Sequence, residues 1–130
     1  MARQRNPATA PTDRLFLDTG YVIARFNRRD EYHNAAKQLA EVVIVASELW
    51  TTDAVLLEIA AAFSAPAYRP FAIAVWDEFH GGNDRCHLVE AAGVHLANAM
   101  KLFRERADKD WSLTDCLSFL VMAEQNLQMP

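Results

Sequence analysis

Three carboxylates in this 130-residue chain stand in surroundings that invite chemistry. Glu58 is the lone polar residue from Ala54 to Ala62, in the stretch AVLLEIAAA. As a helix this stretch is apolar almost all round, so it is expected to be buried on most sides. A carboxylate there needs a partner, because unpaired burial costs several kcal/mol or drives protonation. The plainer alternative puts Glu58 at a helix edge, in reach of solvent or an arginine. Asp18 follows the apolar run Leu15 to Leu17 directly and precedes Thr19 and Gly20. It could cap the next helix, or stand at the carboxyl end of a buried strand, where α/β proteins build their sites. Asp115 ends the tetrapeptide SLTD that starts at Ser112, which is the pattern of a capping box, and spacing alone favours that role. As a set, one acid after a strand and two on helices can converge only around a cation that offsets their repulsion. All-oxygen ligands would select Mg2+ or Mn2+ over zinc.

Other chemistries find less support. His33, His80, His87 and His95 show no ligand spacing and read as core or surface residues. Cys86 and Cys116 lack CxxC spacing and read as reduced, buried thiols. A phosphotransferase with Asp18 as nucleophile would want a second Asp two residues on, where Gly20 stands. Dinucleotide binding would want GxGxxG after a strand, and no such motif occurs. The net charge of −4 argues against holding nucleic acid by bulk electrostatics, so any such role needs a local site.

The elements that must place these acids follow from punctuation and periodicity. Residues 1–13 read as a flexible lead-in without the layout of a secretory signal, which implies a cytoplasmic location, and residues 14–130 as one domain. With 52% hydrophobic and 23% charged residues the chain can bury a core, and no apolar run is long enough to span a membrane. LFL, SELWTT and CHLVE read as short strands. Between them lie helices over YVIARFN, over EYHNAAKQLAEVV with Asp30 as its cap, over DAVLLEIAAAF capped by Thr52 or Asp53, and over FAIAVWDEFH between Pro70 and Gly81. Two more run from about Ala91 to Arg106 and from Ser112 to about Gln125. This alternation predicts an α/β fold with a short parallel sheet.

Three segments, FLDTGYVIARFNRRDEYHNAA, TTDAVLLEIAAAF and DKDWSLTDCLSFLVM, resemble successive signatures of the PIN-domain family, and most of all its VapC-type toxins. The run from Trp111 to Cys116 is the most specific of them. The resemblance implies a three-layer α/β/α fold and a metal-dependent endoribonuclease, the toxin of a toxin–antitoxin pair. Asp18, Glu58 and Asp115 would then hold Mg2+ or Mn2+ as both metal ligands and catalytic residues. Thr19 and Thr114 would fix their acidic neighbours, with Asp110 accessory at most. It further implies an RNA substrate, an antitoxin, a homodimer, and a partner covering the groove around YVIARFN and EYHNAAKQL, with Arg25, Arg28 and Arg29 nearby. In one respect the chain departs from the pattern. After the LTDC helix the family continues into a strand that ends in a fourth acid, whereas here NLQMP closes the sequence. The expectation is therefore a PIN-like domain lacking its C-terminal strands, with one edge of the first strand unpaired and a site of three acids. A catalytically weak PIN domain that serves as a protein-binding module is the alternative function.

Overall fold

Leu15 and Phe16 are 1% and 0% exposed, and that burial is what makes a strand of only three residues the centre of the fold. The computed structural model describes residues 13–130, so the expected lead-in lies outside it except for Asp13. In chain order the elements are β1 (Arg14–Phe16), α1 (Thr19–Phe26), α2 (His33–Val45), β2 (Glu48–Thr52), α3 (Asp53–Ala62), α4 (Arg69–His80), β3 (Cys86–Val89), α5 (Val94–Glu105) and α6 (Leu113–Gln125). The strands form one parallel sheet in the order β1-β2-β3, with Phe16 opposite Trp50 and Trp50 opposite His87.

Because strand side chains alternate, the sheet has two distinct faces. Leu17 and Leu49 turn to the layer of α1, α2 and α4, with which they line one groove. Arg14 belongs to the opposite face and donates from Nη1 to the Gln125 carbonyl at the end of α6, 2.7 Å away. The expected α/β/α layering is the one observed, and the strand and helix order matches the sequence reading.

Four expectations need correction. The edge of β1 away from β2 is not bare: Phe16 N–H donates to Gln128 O at 2.8 Å, Gln128 N–H donates to Arg14 O at 3.2 Å, and Leu127 beside them is buried. The residues after α6 thus meet β1 in a single parallel bridge rather than leaving that edge open. Asp30 does not cap α2. Its carboxylate accepts from Tyr32 N–H and its carbonyl from His33 N–H, closing a turn just before the helix. The helix over α3 is not buried on most sides, since Leu57 is 66% exposed and Ala60 to Ala62 face outward. Alanine tolerates either environment, so an alanine-rich helix looks more buried in sequence than it is. Finally, α5 starts at Val94 rather than near Ala91, because Ala91 N–H is held by Asp53 Oδ1 and Gly93 turns the chain at φ 76°. Both cysteines are free as expected, with Cys116 buried and Cys86 half-buried; burial raises both thiols above their ordinary pKa, so neither suits a nucleophile.

Two arginines lock helix ends to strand starts. Arg85 Nη1 donates to the carbonyls of Val43 and Ala46 at 2.9 and 3.0 Å, satisfying the C-terminal end of α2. Arg14 does the same for α6 and is itself paired to Glu48, whose carboxylate also accepts from Trp50 Nε1 and lies 3.2 Å from His87 Nε2. The Arg14 hydrogen bond outweighs burial, which acts the other way, and holds the Glu48 carboxyl below its usual range. A carboxylate with a depressed folded pKa stabilises the fold above the unfolded value, about 4.3, and loses that contribution as pH falls through the folded value. Urea midpoints measured from pH 7 to pH 3 should therefore show Glu48→Gln less stable at neutral pH, with the gap closing in acid. The gap should be no more than about 1 kcal/mol, since the pair is partly solvated. A gap that stays constant across the range would remove Glu48 as its source.

Candidate active site

At the carboxyl end of the sheet the chain leaves β1 and β2 into helices, and there the polar groups collect. Leu17 N–H makes the last rung to Trp50 O at 2.8 Å. Asp18 follows as the N-cap of α1, with Oδ1 accepting from Tyr21 N–H at 3.0 Å. On the neighbouring strand Thr51 and Thr52 are 1% and 0% exposed. Thr51 Oγ1 donates to the Leu17 carbonyl at 2.9 Å, and Thr52 Oγ1 caps α3 by accepting from Val55 N–H at 3.1 Å. Asp53 Oδ1 accepts from Ala91 N–H at 2.9 Å and ties the loop after β3 to the same edge.

Glu58 lies in the second turn of α3, half-buried. Its partner is neither solvent alone nor an arginine: Thr19 Oγ1 donates to Glu58 Oε1 at 2.6 Å. The hydroxyl next to Asp18 in sequence therefore holds Glu58, which brings two of the three expected acids to one place. Thr19 is expected to fix its neighbour Asp18, but its hydroxyl goes to Glu58 instead, and no such contact involves Thr114 among the described residues.

Asp115 belongs to the start of α6. The end of α6 is fastened to Arg14 at the start of β1. At about 1.5 Å per residue, the 13 residues of α6 span roughly 20 Å from that fastened end to its N-terminus. There Asp115 completes the capping box: Ser112 N–H donates to Asp115 Oδ2 at 2.9 Å, and Asp115 N–H to Ser112 Oγ at 3.0 Å. Its carboxylate is exposed and turned back on its own helix. Accordingly, among the described residues no three His, Cys, Asp or Glu side chains are grouped as ligands of one ion. Asp110 is exposed in the preceding loop, as a solvated residue would be. Trp111 packs edge-on against Phe119 at 4.8 Å, with Arg106 and Lys109 over its ring at 5.3 and 5.9 Å.

The three expected ligands offer carboxylate oxygens, the donor type a hard cation takes, but the described residues do not group them as a set. Asp18, Glu58 and Asp115 each have one carboxylate oxygen anchored by a protein hydrogen bond, which leaves the second oxygen for a ligand. Thr51 is a support that the sequence did not single out, and Asp53, read there as a possible cap of α3, instead holds the loop after β3. A visible sign was the pair of threonines closing a strand, where a valine would have served packing alone.

No protein-family model matches the sequence, and no curated protein does. The structure, however, is similar to the crystal structure of Mycobacterium tuberculosis VapC20, a sarcin-ricin loop cleaving toxin. The TM-score is 0.74 at 20% identity, over 88% of this chain and 85% of that one. The fold is the VapC-type PIN fold. At that identity the likeness is one of fold, and any activity of this chain must be argued from its own residues.

Proposed function

We propose that the chain is a metal-dependent endoribonuclease that hydrolyses RNA phosphodiester bonds in the cytoplasm as the toxin of a toxin–antitoxin pair. The observation that carries this reading is the Thr19 hydrogen bond that joins Glu58 to the Asp18 turn at the carboxyl edge, within a fold shared with an RNA-cleaving toxin. Asp18, Glu58 and Asp115 would hold Mg2+ or Mn2+, which when bound supplies Lewis-acid activation of water and neutralises charge on the phosphate. The chain's own contribution is placement. The α1 cap fixes one oxygen of Asp18, Thr19 fixes one of Glu58, and the capping box fixes one of Asp115, so each carboxylate would have little freedom to lose on binding a cation.

The partner would be a small antitoxin seated in the groove of about 300 Å3 between α1, α2 and α4. Leu17, Val22, Phe26 and Phe79 are in its lining, as are Arg25 and Glu78. An apolar floor with one charge of each sign suits an amphipathic peptide helix. The groove also favours the second reading, a PIN domain that binds protein without cleaving RNA. One experiment separates the two: purified protein is incubated with total RNA and with a sarcin-ricin loop hairpin, with Mg2+ or Mn2+ and then with EDTA. Cleavage that needs the cation is expected. RNA left intact with either metal, at full protein solubility, would leave the binding module.

A further inference from the structure

We propose that Thr51 is a positioning residue of this site, closing a ring of bonds that sets Asp18 against Glu58. The inference rests on the nuclease reading above, and its argument starts from the ladder. In the β1–β2 register Leu17 N–H bonds Trp50 O, and the next rung of a regular parallel pair would bring the Thr52 N–H to the Leu17 carbonyl. The strands part at that point, because β1 turns into α1 and β2 runs on into α3. The donor to Leu17 O is instead the Thr51 hydroxyl, at 2.9 Å and 1% exposed.

Burying a hydroxyl there has no packing advantage over valine, which fills a similar space and suits a buried strand at least as well. What the hydroxyl adds is a fixed carbonyl one residue before Asp18. From Leu17 a ring can be followed: Asp18, Thr19, the Thr19 hydrogen bond to Glu58, back along α3 to its Thr52 cap, then Thr51 and its bond to Leu17. Thr52 secures the helix that carries Glu58, Thr51 secures the strand end that carries Asp18, and Thr19 joins the two. Without the Thr51 bond the ring opens on the Asp18 side while α3 and its cap are untouched. Misplacing a ligand carboxylate in this way acts on cation affinity and on turnover rather than on RNA binding.

The test uses the full chain as Thr51→Val and Thr51→Ser. Mn2+ affinity is read from the spectroscopic signal of free Mn2+, kcat and KM from RNA cleavage, and stability from thermal melting. Thr51→Val is expected to weaken Mn2+ binding and kcat by roughly 10–100-fold, with KM for RNA little changed, and Thr51→Ser to restore most of both. Should the valine variant not fold, Thr51→Cys, a similar size with a weak donor, takes its place and should fall between wild type and the expected valine loss. Lowered melting with unchanged Mn2+ affinity and kcat would overturn the proposal and leave Thr51 a stabilising residue. Wild-type protein that binds no Mn2+ would sink the nuclease reading and this inference together, whereas wild-type binding matched by the valine variant sinks the inference alone.

Discussion

Asp115→Asn is expected to lower metal-dependent RNA cleavage by at least about 100-fold, since disturbing mere supports of a metal ligand already costs 10–100-fold. The same variant should leave the urea midpoint close to wild type. Asp115 is where a structural and a functional role compete most directly, because its Oδ2 already accepts the Ser112 N–H that a capping box requires. Asparagine keeps an oxygen at that place and can still accept the bond, so the start of α6 survives the exchange. It loses the charge, and a neutral amide is a poor ligand for Mg2+ or Mn2+ in a site of so few carboxylates. Asp115→Ala separates the roles further. It removes the cap as well, so it should add a loss of roughly 0.5–2 kcal/mol in stability to the same catalytic defect. The exposure of Asp115 and the absence of a three-acid group among the described residues give this prediction its edge. If Asp115→Asn cleaves like wild type, the residue is a cap and the cation is held by Asp18 and Glu58 without it.

How much of this was legible in the sequence depends on the range over which each signal acts. Strands announced themselves because buried parallel strands are short apolar runs that stop at turn residues, as Leu15 to Leu17 stops at Asp18. The capping box of Ser112 and Asp115 and the Thr52 cap were readable because they are local hydrogen bonds between residues three apart. Asp30 failed for the same reason: its local options include a turn that ends before the helix, and the turn prevails. The exposure of α3 was not legible, because alanine carries no information on burial and the packing of α1, α4 and the sheet decides which face is covered. Nor were the contacts across 34 to 39 residues that build the site, Thr51 to Leu17 and Thr19 to Glu58. The sequence offered Thr19 as a candidate only because it adjoins Asp18. The residues after α6 were the largest miss, since NLQMP has no strand pattern. Its pairing is created by Arg14, which holds the Gln125 carbonyl and so delivers the chain to the edge of β1.

Deletion of residues 127–130 should follow from that delivery as a large loss of stability, on the order of 3–8 kcal/mol. Removing a buried leucine side chain costs about 2–5 kcal/mol, and each main-chain bond to β1 adds about 0.5–1.5 kcal/mol. Leu127 is 8% exposed, and the bonds in question are Phe16 N–H to Gln128 O and Gln128 N–H to Arg14 O. With only three residues in β1, the strand would then be paired on one side alone, and its free N–H and C=O groups would be available to other chains. The shortened protein should thus melt earlier and aggregate near its transition, visible as scattering that rises with the loss of circular dichroism. Gln128→Pro isolates the backbone part, because it removes one donor while Leu127 stays; its cost should be nearer to 1–3 kcal/mol, that of the partly buried Arg14 carbonyl left unpaired. Catalysis should fall with stability in both variants, since β1 ends at Phe16 and any loosening of the strand reaches Asp18 through Leu17 alone. A four-residue deletion that melts at the wild-type temperature would mean that β1 is held by β2 and its flanking helices alone, and that the bridge to Gln128 contributes nothing.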